Sequence, residues 1–154
     1  MVFNAAPGEL FVIRNVANLV PPWPDDQPHG IGAAIEFAVR ALKVPRIIVM
    51  GHAMCGGIAA LLNGAPAEVA DFVGQWVRIA EPARLRAMSA PAERRQDVCE
   101  HESVRLSLDN LMSFPWIATA ISARTLKLHG CFFDIRSGIL EQLGGDGVFR
   151  PTAD

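Results

Sequence analysis

The spacing of hydrophobic positions changes period several times along the chain, and each change marks an element. Leu10 to Arg14 (LFVIR) is a short apolar, β-branched run behind the turn signal Pro7-Gly8, and it predicts a strand. Val20 to Pro28 carries four prolines and two aspartates, so neither helix nor sheet can continue through it. From Gly30 the period becomes helical, with Ile31, Ala34, Ile35, Ala38, Val39 and Leu42 on one stripe. Pro45 introduces Arg46 to Met50 (RIIVM), an unbroken apolar run that suits a strand buried on both faces. Gly51 to Gly57 reads as a tight loop, followed by a short helix from Gly57 to Leu62 that Asn63-Gly64 ends.

The second half is mostly helical. Val69, Phe72, Val73, Trp76, Val77 and Ala80 share a face from Ala67 onward until Pro82 interrupts, and a further helix runs from Pro91 to Met112. Phe114-Pro115-Trp116 breaks that helix and starts a shorter one through Ala123. Leu126 to Ile135 predicts a strand, Ser137-Gly138 a turn, and Ile139 to Leu143 a last edge strand. Strand, helix, strand, helices, strand is the order of an α/β domain with a mostly parallel sheet flanked by helices.

Composition narrows the classes. The 154 residues are 51% hydrophobic and 19% charged, enough apolar surface to fill one core and too little charge for a disordered chain. A net charge of −2 with basic residues scattered leaves no concentrated phosphate-binding face, so no nucleic-acid partner is expected. Apolar stretches are cut by Arg14, Glu36, Arg40 and Arg46 before they could span a bilayer, and no basic region precedes an apolar signal. Three widely spaced cysteines make no disulfide framework. The expectation is a single domain over 1–154, soluble and cytoplasmic, with no membrane partner.

In open α/β sheets, functional groups gather where strands lead into helices. Gly51-His52-Ala53-Met54-Cys55-Gly56-Gly57 holds that place. An imidazole and a thiolate at this spacing suit one tetrahedral metal, and a helix N-terminus favours the thiolate. Gly56 and Gly57 keep the approach to it open. Two other readings stay beside this one: a glycine-turned loop with a buried cysteine, and a cysteine nucleophile with His52 as its base. Cys99 with His101, His129 with Cys131, and His29 are weaker candidates. Cys99 reads as a partly buried thiol beside a surface histidine, Cys131 as core, His129 as core or the lining of a cleft, and His29 as a solvated loop residue in preference to a helix cap or a substrate contact. Arg14, at the end of a buried-looking strand, needs a carboxylate or an anion as partner.

Several stretches together resemble the β-class carbonic anhydrases. They are Gly8-Glu9-Leu10-Phe11-Val12-Ile13-Arg14-Asn15-Val16-Ala17-Asn18-Leu19-Val20, Glu36-Phe37-Ala38-Val39, Ile47-Ile48-Val49-Met50-Gly51-His52 and Cys55-Gly56-Gly57. Glu102-Ser103-Val104, Asn110-Leu111 and His129-Gly130-Cys131-Phe132-Phe133-Asp134-Ile135 with Gly138 extend the likeness over nearly the whole chain. The resemblance implies zinc as cofactor, reversible hydration of CO2 to bicarbonate and a proton, and a homodimer or higher homo-oligomer. It also implies that His52 and Cys55 are zinc ligands, that Gly56 and Gly57 border the substrate cleft, and that Arg14 takes part in an anion site.

The departure lies at the start. The family takes its other cysteine ligand, and the Asp–Arg pair that orients the attacking hydroxide, from a Cys-x-Asp-Ser-Arg motif upstream of Pro7-Gly8. Met1 to Ala6 contain no Cys, Asp or Arg, so no catalytic residue is identifiable by resemblance. The fold implied is the family's α/β sheet with its N-terminal helices and one central strand missing, between Leu10–Arg14 and Arg46–Met50. Met1 is then expected to be an internal methionine of a longer, here truncated, chain. A second class of function follows: an inactive, zinc-free relative serving as an interaction or regulatory subunit.

Overall fold

The computed structural model describes residues 4–24 and 29–152. Its centre is a four-stranded sheet, β1 (Arg46–His52), β2 (Lys127–Asp134), β3 (Ile139–Leu143) and β4 (Phe149–Pro151), in that spatial order. β1 and β2 run parallel, with Arg46 beside Lys127 and His52 beside Phe133. β3 turns back against β2 and β4 against β3, both antiparallel. Parallel pairing is therefore confined to β1 and β2, and the expected mostly parallel sheet is a mixed one. The reason is local: Ser137-Gly138, with Gly138 at φ +75°, is a hairpin-type turn that can only return the chain antiparallel.

Helices pack round this sheet: α1 (Gly30–Glu36), α2 (Gly56–Asn63), α3 (Val73–Trp76), α4 (Glu81–Ala87), α5 (Arg95–Ser113) and α6 (Pro115–Ser122). α5 crosses β1 and β2 at close range. A Cβ on Gly51 would stand 2.7 Å from Val104 Cγ2, and one on Gly130 would stand 2.9 Å from Leu108 Cδ1. Glycine at both strand positions is what lets α5 come so near. α5 also divides the core. Cys99 and Leu106 join a cluster with Ala17, Leu19, Cys55 and Ile58, while Val104 and Leu111 join Val49, Phe114, Ile117 and Leu126.

Several sequence expectations are corrected. Leu10–Arg14 forms no strand, because no strand lies beside it among the described residues, and Val12 is 66% exposed. β1 is buried on one face only: Ile48 on the other is 42% exposed, since β1 is an edge of the sheet and α5 covers just its opposite side. The Gly30–Leu42 stripe holds as far as Val39. The helix widens into a π-helical turn over Phe37–Ala41, which carries Leu42 out to solvent. Ala67–Ala80 is three short helical pieces rather than one helix. Pro82 does not interrupt but sits in the first turn of α4, where its missing N–H costs nothing. β3 is not the edge, because β4 pairs beyond it. The proline-rich loop's residues 25–28 lie outside the described residues.

The β2–β3 hairpin carries a testable charge. Arg136 donates to Asp134 Oδ1 from both its side-chain Nε and its backbone N–H, each at 2.9 Å. These bonds hold the Asp134 carboxyl down at about 2, against an ordinary 3.8. A depressed folded-state value means the contribution is full above the ordinary value and is lost as pH falls through about 2. Asp134→Asn should therefore flatten the fall in urea midpoint between roughly pH 4 and pH 2. An unchanged acid slope would show that this turn is not coupled to the folded state.

Candidate metal centre

β1 ends at His52, and Ala53 and Met54 carry the chain into α2, for which Cys55 is the capping residue. The Ala53 N–H prolongs the sheet by donating to the Phe133 carbonyl at 3.0 Å. Met54 then takes φ +59°, a left-handed conformation that costs a non-glycine residue roughly 1–2 kcal/mol. This reversal is what puts an imidazole at the strand's end and a thiol at the helix start.

His52 is exposed, and its Nδ1 lies 2.9 Å from the Ala53 carbonyl oxygen. A carbonyl only accepts, so Nδ1 carries the proton and Nε2 keeps its lone pair for a ligand. Metal-binding histidines are oriented by this kind of bond. Cys55 is 4% exposed and packs among Ala17, Leu19 and Ile58. Its backbone N–H donates at 2.8 Å to Glu100 Oε1, across 45 residues of sequence.

The floor under this turn is Val16–Asn18, a tight left-handed turn in which Ala17 and Asn18 both have positive φ. Asn15 closes it, its Oδ1 accepting from Leu19 N–H at 2.8 Å. Trp76 Nε1 donates to the Val16 carbonyl at 2.8 Å, and Ser107 Oγ to the Asn18 carbonyl at 3.0 Å. Gly57 presses on that turn: a Cβ there would be 2.6 Å from Val16 Cγ1 and 3.0 Å from Ala17 Cβ. Gly56 has nothing within 4 Å of such a Cβ and is exposed. The two adjacent glycines thus differ, Gly56 facing open space and Gly57 packed.

The donor set can be weighed against zinc. One imidazole with a fixed tautomer and one thiol are donors zinc prefers, but sites of either kind take at least three protein ligands. Among the described residues no three His, Cys, Asp or Glu side chains stand close enough to hold a metal. His52 and Cys55 fit as part of a site and do not fit as the whole of one. The nucleophile reading fares worse, because the group orienting His52 is a backbone carbonyl and not a carboxylate.

None of the other candidates completes a group of three possible ligands among the described residues. Cys99 is fully buried, and that burial pushes its thiol up to about 12, so it stays protonated at neutral pH. His101, expected at the surface, is instead stacked on Phe132 with ring centroids 3.8 Å apart, its Nδ1 facing the Asp97 carbonyl at 2.7 Å. His129 and Cys131 share a sheet face with Ile48, Met50 and His52. Burial raises the Cys131 thiol, and His129 Nε2 is buried without a hydrogen-bond partner. His29 caps α1, its Nδ1 accepting from Gly32 N–H at 3.0 Å. Arg14 is exposed and forms no ion pair among the described residues. Glu100 was not a sequence candidate. Its signal was an acid among Cys99, Ser103, Val104 and Ser107, the helix positions that carry the buried stripe.

Comparison with known proteins bears on the family and the fold. A family model described as carbonic anhydrase matches residues 1–140. Beta carbonic anhydrase 6, mitochondrial, of Arabidopsis thaliana is 40% identical over 147 residues, which are 92% of this chain and 50% of that protein. The chain thus spans about half the length of that curated relative. The solved β-carbonic anhydrase CcaA superposes with a TM-score of 0.88 at 29% identity, covering 99% of this chain and 71% of that one. One of two tetrameric β-carbonic anhydrases from the ascomycete Sordaria macrospora gives 0.78 at 34% identity, over 99% and 74%.

Proposed function

The chain belongs to the β-carbonic anhydrase family, and from that premise we propose that it contributes His52 and Cys55 to a zinc site for reversible CO2 hydration. One observation carries the reading: the β1–α2 turn presents an imidazole whose Nδ1 is already bonded to the Ala53 carbonyl, three residues from a thiol at the start of a helix. Zinc in such a setting supplies the Lewis acidity that makes water nucleophilic near neutral pH. The remaining ligands and the group that orients the water come from outside the described residues.

The chain's own residues then have limited tasks. His52 offers Nε2, Cys55 offers its thiolate, and exposed Gly56 leaves the approach free for a small linear substrate. Arg14 offers a guanidinium that no carboxylate among the described residues engages, suited to bicarbonate, although nothing among those residues ties it to the turn. Assembly into a homo-oligomer is part of the reading, since the Sordaria macrospora neighbours are tetrameric. No helix among the described residues is long and apolar enough to cross a membrane. Location in the cytoplasm stays part of the proposal, and the Arabidopsis relative is named mitochondrial.

The incomplete donor set favours a second reading, a zinc-free relative that acts through binding a partner. Elemental analysis of the purified protein, run beside size exclusion and a CO2-hydration assay, separates the two. About one zinc per chain in a discrete oligomer with turnover supports the enzyme. A protein free of zinc and inactive in the presence of added zinc supports the second reading.

A further inference from the structure

Glu100 lies on the buried face of α5 with 3% of its surface exposed. Burying a carboxylate is costly unless donors surround it. Two donors meet its Oε1: the Cys55 backbone N–H at 2.8 Å and Gln96 Nε2, one turn earlier on α5, at 3.0 Å. Neither contact is a salt bridge, and neighbours such as Cys99 and Val104 would pack as well round a leucine. The residue type therefore answers to the Cys55 N–H, a group at the helix start with no partner inside α2.

The bond belongs to a longer arrangement. Ser103, Ser107 and Asn110 continue the same side of α5 at helical spacing, and each meets irregular backbone or a side chain beside it. Ser107 Oγ accepts from Val20 N–H at 3.2 Å and donates to the Asn18 carbonyl at 3.0 Å. Asn110 Nδ2 donates to the Val20 carbonyl at 2.7 Å, and Asn18 Nδ2 reaches Ser103 Oγ at 3.5 Å. One polar rail on one long helix thus holds both walls of the turn, the Asn18–Val20 segment and Cys55. Glu100 is its member at the chemistry.

We infer that Glu100 is the positioning residue of Cys55: its carboxylate fixes the Cys55 backbone at the head of α2 and so sets where the thiol points. The consequence for zinc rests on the function proposed above, whereas the contact itself does not. The test uses the full chain, with Glu100→Leu to remove the acceptor and Glu100→Gln to keep an Oε1 in place. Amide NMR and hydrogen exchange at Cys55 read the contact without any metal. In Glu100→Leu, exchange at Cys55 should rise at least about tenfold, while Val104 and Leu111 on α5 stay protected. Glu100→Gln should restore most of that protection.

Zinc affinity, measured by competition with a chromophoric chelator, should fall about 10–100-fold in Glu100→Leu and recover in Glu100→Gln. Unchanged Cys55 exchange in Glu100→Leu overturns the inference. So does a Glu100→Gln protein as disturbed as Glu100→Leu, since packing alone would then account for both. If Glu100→Leu does not fold, the Cys55 amide resonance in Glu100→Gln decides: it should move upfield as the charge is removed, and no movement overturns the assignment. A wild-type chain with a protected Cys55 amide and no affinity for zinc would refute the zinc function and leave the positioning role standing.

Discussion

Replacing His52 with Ala or Cys55 with Ser is expected to abolish any tightly bound zinc, each variant alone sufficing. Structural and catalytic zinc sites use at least three protein ligands, and affinity collapses when one is withdrawn. The loss should exceed the ~10–100-fold that removal of an outer-shell partner costs. His52→Ala leaves the fold intact, and Cys55→Ser costs about 1–3 kcal/mol for a hydroxyl buried among Ala17, Leu19 and Ile58. His52 is exposed, and serine fills nearly the volume of the Cys55 thiol.

Two further substitutions serve as controls. Cys99→Ser and His101→Ala should leave metal content where it was. Cys99 sits fully buried with its thiol held protonated, and His101 is committed to Phe132 and the Asp97 carbonyl. Elemental analysis after dialysis against a weak chelator reads all four. Equal zinc in wild type, His52→Ala and Cys55→Ser would remove both residues from the metal's coordination. Loss in Cys99→Ser alone would move the site onto α5.

The contrast between these residues shows which parts of the site a sequence can carry. The strand-to-helix turn that carries His52 and Cys55 was legible because local pattern alone fixes it. Glu100 was not, because its meaning depends on a contact 45 residues away. Seen in its helix, it is one more acid in a run already holding Asp97 and Glu102, and only the tertiary fold separates the buried one from its half-buried neighbours. The strands divide in the same way. Arg46–Met50 and Leu126–Ile135 pair with each other, so their apolar runs became strands. Leu10–Arg14 has an equally good pattern and no neighbour to bond with among the described residues, and a strand is a property of a pair. The short β4 escaped notice because Phe149–Pro151 has only three residues and ends on a proline.

Gly57→Val is expected to destabilise the protein by up to about 3 kcal/mol, while Gly56→Ala next to it should be neutral or stabilising by up to ~1 kcal/mol. Both glycines begin α2, where any side chain lowers the chain entropy lost on folding, so propensity favours both changes. Space decides against one of them. A Cβ on Gly57 already lies 2.6 Å from Val16 Cγ1, 3.0 Å from Ala17 Cβ and 3.3 Å from the Ala17 backbone nitrogen. Val16 could turn its side chain, but the Ala17 backbone cannot retreat, because Trp76, Asn15 and Ser107 hold that turn by three separate hydrogen bonds. Gly56 meets nothing within 4 Å. Urea unfolding of the two variants measures the difference directly, and an opposite order would mean that the Val16–Asn18 turn yields in solution. Because the same turn underlies Cys55, Gly57→Val should also weaken zinc retention, and Gly56→Ala should not.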